Sequence, residues 1–333
     1  MSASYLRRGL IGAALCILLA IAYQYQYKGT TVENNDLDLL RTAARTAAKM
    51  PRAPVIALSH GGGPMPLMND PNHKDITASL RNRVPRLLGL NTPSAPRAIV
   101  LVTAHWSTGN PTITSSSSPS LLYDYYGFPP ETYKLKYPAP GSPSVADEVK
   151  RAMEAQGLRP SLDPKREWDH GVFVPLLLVN PAADIPVVQV SVLGSEDPRQ
   201  HFAMGKALES LRDDGVAIVG SGFASFHNLG LMRQLMGGRG AAFTAFKQRS
   251  DAWNDRLGEA VNKADAAERA EDLAGWRAFP AADEMHPRGG GEHFMPLLVC
   301  AGAAGNETAG AYKDDFLGVD IWTYYWGAAT KAE

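Results

Sequence analysis

The chain has 333 residues, 45% of them hydrophobic, which suffices for one large domain or two modest ones around a sizeable core. A formal net charge of -1 without long basic or acidic runs gives no electrostatic footprint for nucleic acid, and small-molecule chemistry is favoured. The two cysteines, Cys16 and Cys300, exclude a disulfide framework and argue against a thiolate zinc site. Any metal must be held by histidine and carboxylate.

The N-terminus reads separately from the fold. "MSASYLRR" is a basic start, and "GLIGAALCILLAIAY" is an apolar run of 15 residues, Gly9 to Tyr23, short for a membrane span. Residues 1–30 therefore read as a signal peptide or signal anchor. Ala20 and Ala22 offer a cleavage site, while "YQYQYKG" equally suits the aromatic flank of a membrane tether through residues 9–23. The expected location is the secretory pathway or a membrane surface, and cytoplasmic if the segment is not used. Residues 31–53, with "LDLLRTAARTAAKM", read as a linker carrying a short helix, and the globular domain spans 54–330.

Apolar runs at 54–59, 97–103, 185–193, 215–220 and 316–326 read as strands. Their continuous apolar character predicts burial on both faces. The spacing predicts helices over "SPSVADEVKRAMEAQGL", with Ser142 and Gly157 as cap signals, and over "AAFTAFKQRSDAWNDRLGEAV", where Phe243, Phe246, Trp253, Leu257 and Val261 keep a helical beat. "TSSSSPS" and "FPPETYKLKYPAPGSPS" form an excursion too long for an idle connector, and suggest a loop over a site. The fold class is α/β: a single domain with a central, mostly parallel or mixed β-sheet flanked by helices.

In such sheets ligands bind outside the carboxyl ends of the strands. His60 in "SHGGGP" and His105 in "VTAHW" each close an apolar strand, and His227 in "GSGFASFHNLG" follows another. His293 lies in "HPRGGGEHFMPLLV", where Glu292 and His286 are alternative ligands. His170 in "EWDHGVF" suits a ligand, a base or a substrate hydrogen-bond donor. His73 and His201 read as polar surface positions without a role. Imidazoles without thiolates suit Fe(II) or Zn(II) at the strand ends. No GxSxG, Walker loop or HExxH competes, Ser59 and Ser225 lack a nucleophile-elbow context, and "SHGGGP" lacks the Lys of a phosphate loop.

The ordered set "SHGGGP", "PRAIVLVTAHW", "DHGVFVPLLLVNPAADIPVVQVSV", "GSGFASFHNL" and "EHFMPLLVCAGA" resembles the DODA-type extradiol ring-cleavage dioxygenases of the class III, LigB or protocatechuate 4,5-dioxygenase-like superfamily. The resemblance covers roughly 54 to 326. It implies metal binding by His60, His105 and His293, a catalytic base at His227 that also serves as a fourth ligand in zinc-loaded members, and a substrate-site role for His170. It further implies ring opening of a catechol with O2. Fe(II) is expected for activity, and Zn(II) is able to occupy the site. "HGGGPMP" departs from the Ser-Pro usual after the first histidine, and the N-terminal segment is not typical of the family.

Two other readings stand beside this one: a zinc-dependent hydrolase or lyase on the same fold, and a non-catalytic binding protein. The partners expected are a small aromatic catechol and O2, with no nucleic acid. Tyr123, Tyr125, Tyr126 and Tyr133 suit either stacking on that ring or packing the loop, and the sequence singles out no cation for a substrate carboxylate, Arg288 beside "HPRGGGEH" being the candidate named. Ordinary histidine protonation predicts loss of activity below about pH 6.

Overall fold

A computed structural model describes residues 52–237, 240 and 242–328 of the chain. The signal or anchor expected over 1–30 and nearly all of the linker lie outside the described residues. Eight strands form one sheet: β1 Val55–Ser59, β2 Ala98–Thr108, β3 Thr112–Thr114, β4 Ser161–Asp163, β5 Val187–Leu193, β6 Val216–Gly222, β7 Gly310–Phe316 and β8 Val319–Trp326. Their spatial order is β4-β3-β5-β2-β6-β1-β8-β7. The middle four, β5, β2, β6 and β1, run parallel. Antiparallel strands close both sides, β8 on β1 with β7 beyond it, and β3 on β5.

The sheet is thus mixed with a parallel centre, as the continuous apolar runs imply. Every residue of β1, β5 and β6 is buried, because helices cover both faces. The helices are α1 Lys74–Leu87, α2 Pro143–Ala155, α3 His170–Val179, α4 Pro198–Leu208, α5 Leu229–Met236, α6 Phe243–Val261, α7 Ala266–Ala274, α8 Ala282–Met285 and α9 Met295–Ala303. Helix α2 begins where Ser142 accepts from the Val145 N–H, and Gly157, at φ +76°, follows its end. Helices α3 and α9 are apolar nearly all round and buried accordingly. Among the described residues no helix is long and apolar enough to cross a membrane.

The run at 316–326 resolves into the end of β7, a turn and β8. Leu317 and Gly318 take positive φ at that turn. Strand β7 escapes the apolar signal because it carries Lys313, Asp314 and Asp315 and is buried only at alternate residues along its second half.

Gly222 at the end of β6 is needed for close approach. A β-carbon there would collide with the carbonyl oxygen of His293, which accepts from the Phe223 N–H at 2.8 Å. That bond ties the segment before α9 to the sheet edge where β1 and β2 also end.

Candidate metal centre and active site

His60 directly follows β1. His105 lies near the end of β2, where pairing with β5 shifts register between Thr103 and Ser107. Such an irregularity re-aims a side chain at a sheet rim. His293 is held at the same rim by the Phe223 contact. The Nε2 atoms of these three face one another: His60 to His105 at 3.1 Å and His105 to His293 at 3.3 Å. Three nitrogens at about 2.0–2.1 Å from one tetrahedral ion stand roughly 3.4 Å apart. The spacing fits a metal, and the three residues form a group that could hold one.

The partners of the other ring nitrogens select the tautomer that metal binding needs. The Ser221 hydroxyl donates to the Gly171 carbonyl, so at 2.9 Å it accepts from the Nδ1–H of His60. His293 donates its Nδ1–H to Glu292 at 2.8 Å, and His105 Nδ1 stands 3.8 Å from Asp124. His60 and His293 therefore turn a lone pair on Nε2 toward the common point, and His105 Nε2 faces both of them there. Burial holds all three well below the ordinary histidine range, and neighbouring imidazoles add to the shift.

His170 opens α3 beside this trio, its ring 3.8 Å from that of His105. Asp124 accepts at one oxygen from both the backbone N–H (2.9 Å) and Nδ1–H (2.8 Å) of His170. Burial would raise the Asp124 carboxyl, but the hydrogen bonds and charge of His170, with His105, bring it below its ordinary value. Asp169, just before His170, is fully buried and pushed up to about 6 by that burial, while accepting from Thr103 at 2.8 Å and Arg166 at 3.1 Å.

His227 stacks face to face on His293, with ring centroids 3.4 Å apart. It groups with Glu292 and His293 rather than with the trio of Nε2 donors. Burial pushes it down to about 4, against the opposing charge of Glu292. A neutral imidazole there is available to accept a proton.

His60, His105, His170, His227, His293 and Glu292 line one cavity of about 630 Å³. The Gly61–Gly63 backbone forms part of its lining, and Tyr125, Tyr126 and Phe128 contribute from the long loop, which thus covers a site as expected. Of the four tyrosines, Tyr123 and Tyr133 pack the loop: their hydroxyls donate to the carbonyls of Leu135 and Tyr125. Tyr125 and Tyr126 reach the cavity, but the Tyr125 hydroxyl is spent on Thr132.

Three expectations need correction. His73 is buried, not a surface residue: its Nε2 accepts from the Gly62 N–H at 2.9 Å and its Nδ1–H donates to Asp70 at 2.6 Å, so it braces the glycine loop. His201 is also buried, accepting from the Leu193 N–H at 2.9 Å and donating to the Asp197 carbonyl at 2.7 Å. In both, an Asp-Pro opens a helical turn and the histidine three or four residues on folds back over it. Arg288 is exposed, pairs with Asp283 at 2.8 Å and does not line the cavity. Of the alternatives beside His293, His286 is buried among Trp253, Trp276 and Phe294 and donates to the Ala224 carbonyl, away from the cavity. Sequence reasoning missed Asp124 and Ser221, which hold rings in place without reaching the common point themselves.

Residues 46–325 match the family described as the catalytic LigB subunit of aromatic ring-opening dioxygenase. The chain belongs to the LigB family. It is 56% identical over 289 residues to the dioxygenase tasH of Hapsidospora irregularis, covering 85% of this chain and 88% of that protein. It is 34% identical to the 4,5-DOPA dioxygenase extradiol of Beta vulgaris, over 75% of this chain and 87% of the relative. A crystal structure of an uncharacterized Escherichia coli K12 protein superposes with a TM-score of 0.59 at 27% identity, covering 83% of this chain and all of that one. This LigB member is accordingly an extradiol-type, ring-opening dioxygenase acting on an aromatic substrate with O2, and the family implies a metal cofactor. The hydrolase and binding-protein readings are set aside.

Proposed function

We propose that this LigB member cleaves a catechol beside its diol, using Fe(II) held by His60, His105 and His293. The observation that carries the reading is the convergence of three Nε2 atoms at a cavity, those of His60 and His293 freed by a hydrogen-bond partner on Nδ1. When bound, Fe(II) supplies Lewis acidity toward the diol and redox chemistry toward O2. Both oxygen atoms enter the product as one ring carbon–carbon bond opens.

The residues of the chain do the rest. His227, neutral and beside the trio, takes a proton from a catechol hydroxyl. His170 is fixed by Asp124 with its Nδ1–H donating, so Nε2 faces the cavity ready to accept a hydrogen bond from the substrate or, once protonated, to donate one. Phe223 and Phe128 give the ring apolar walls that exclude water. Zn(II) would suit the same donors without the redox step, with His227, stacked on His293, as the further imidazole proposed for a fourth ligand. We place this chemistry in a catalytic domain of residues 54–330, behind a secretory signal or membrane anchor in residues 1–30.

Anaerobic loading of the full chain with Fe(II), and separately Zn(II), followed by oxygen uptake with a catechol panel including DOPA, tests the proposal. One O2 consumed per catechol with a yellow product, in the iron form alone, is expected. No uptake by iron-loaded protein with any catechol would overturn it.

A further inference from the structure

The cavity is larger than the ring it is proposed to hold. A cavity of about 150 Å³ suffices for benzene, whereas this one encloses about 630 Å³. The surplus is bounded by one face of α5: Leu229, Met232, Arg233 and Met236 all line it. Their spacing of three, four and seven residues places them on a single side of the helix. The helix is fixed relative to His227. Asn228 caps it, accepting from the Leu231 N–H at 3.2 Å and donating to the Glu284 carbonyl at 2.9 Å, and the His227 N–H donates to the Met285 carbonyl at 2.9 Å.

That face is unusual in two respects. Leu229 and Met236 are 55% and 46% exposed, and Tyr126, on the loop that also lines the cavity, is 89% exposed, so large apolar surface meets water at the mouth. Arg233 is the only lysine or arginine lining the cavity among the described residues, and its guanidinium has no ion-pair or hydrogen-bond partner among them. Glu292, the one carboxylate of the lining, is already engaged by His293.

We propose that this wall selects a catechol whose ring bears an apolar arm ending in an anion, with Arg233 taking the anion and the α5 side chains covering the arm. The inference rests on the catechol reading and specifies its substrate class. It favours a simple acid over a zwitterionic amino acid, because an ammonium on the arm would lie beside the like-charged guanidinium of Arg233. The guanidinium offers a planar fork that matches a carboxylate in two bonds.

Isothermal titration of the Zn(II)-loaded full chain with dihydrocaffeate, neutral ethylcatechol, DOPA and dopamine tests this without turnover. The acid is expected to bind about tenfold tighter than ethylcatechol and tighter than DOPA, with the advantage shrinking as salt rises. Arg233→Met should reduce the ratio of acid to ethylcatechol to about twofold, Arg233→Lys should keep part of it, and Arg233→Glu should reverse the order of acid and amine. Thermal melts confirm that the variants fold. A ratio that is absent in the parent, or unchanged in Arg233→Met and Arg233→Glu, overturns the proposal while leaving the catechol reading intact. Failure of every catechol to bind, with metal present, overturns both.

Discussion

Two sets of buried histidines occupy this molecule, and burial does not separate them. His60, His105 and His293 at the carboxyl edge of the sheet are at most about one-fifth exposed, and His73, His201 and His286 on its flanks are nearly inaccessible. The difference lies in where the ring nitrogens end. In His73 and His201 both terminate on backbone groups or a local aspartate, and in His286 Nε2 ends on the Ala224 carbonyl. At the edge Nε2 meets a second imidazole in all three, and Nδ1 is anchored in His60 and His293. Three lone pairs pointed at one another repel in the bare protein, an arrangement that an ion converts into attraction.

Removing one ring from each set tests the distinction most sharply. His105→Ala should lose bound metal and reduce oxygen uptake by at least about a thousandfold, with a melting temperature close to that of the metal-free parent. His201→Ala should keep its metal but lose about 2 kcal/mol, since the Leu193 N–H is left buried and unpaired. Metal analysis and denaturant titration report both. Equal metal loss in the two variants would erase the distinction.

A second test uses protons. His227 sits at about 4 when folded and near 6.5 when unfolded, so between those values the unfolded chain binds a proton that the folded one refuses. Stability of the metal-free protein should therefore fall as pH drops from 6.5 toward 4, the share owed to His227 levelling off below 4. His227 alone contributes about 3 kcal/mol over that window, and His286, pushed down to about 3 by burial, adds to it. The same burial corrects the expectation of failure below about pH 6: neutral donors persist to lower pH. Melting curves at stepped pH check the sign, and a flat profile would contradict it.

Smaller effects probe the supporting residues. Asp124→Asn should lower kcat by about 10- to 100-fold with metal retained, because the acceptor that orients His170 weakens; stopped-flow turnover beside metal analysis separates the two. Ser221→Ala should weaken metal binding about fivefold by releasing the Nδ1–H of His60, as a competing chelator would report.

Much of this was legible in the sequence, for local reasons. A strand buried on both faces has no polar residue to spare, so the histidines just after β1 and near the end of β2 stand out. His293 is harder to place, since its position depends on Gly222 admitting its carbonyl. Asp124 and Ser221 carry no signal of their own, one lying in a tyrosine-rich loop and the other inside an apolar strand, and only tertiary contact gives them meaning. Arg288 drew attention by proximity in sequence, while Arg233 is brought to the cavity by the direction in which α5 leaves its cap. His73 and His201 were read as surface residues because Asp-Pro-rich segments are usually exposed, and here each folds its histidine inward.

The ligands also impose an order of assembly. His60 and His105 are 45 residues apart, but His105 and His293 are separated by 188, and β1 receives its antiparallel neighbour β8 only from the last part of the chain. As the chain leaves the ribosome, two imidazoles are available long before the third, and a pair holds an ion far less firmly than a trio. The trio is therefore complete only once His293 has been made, and a metal held by all three can bind only after that.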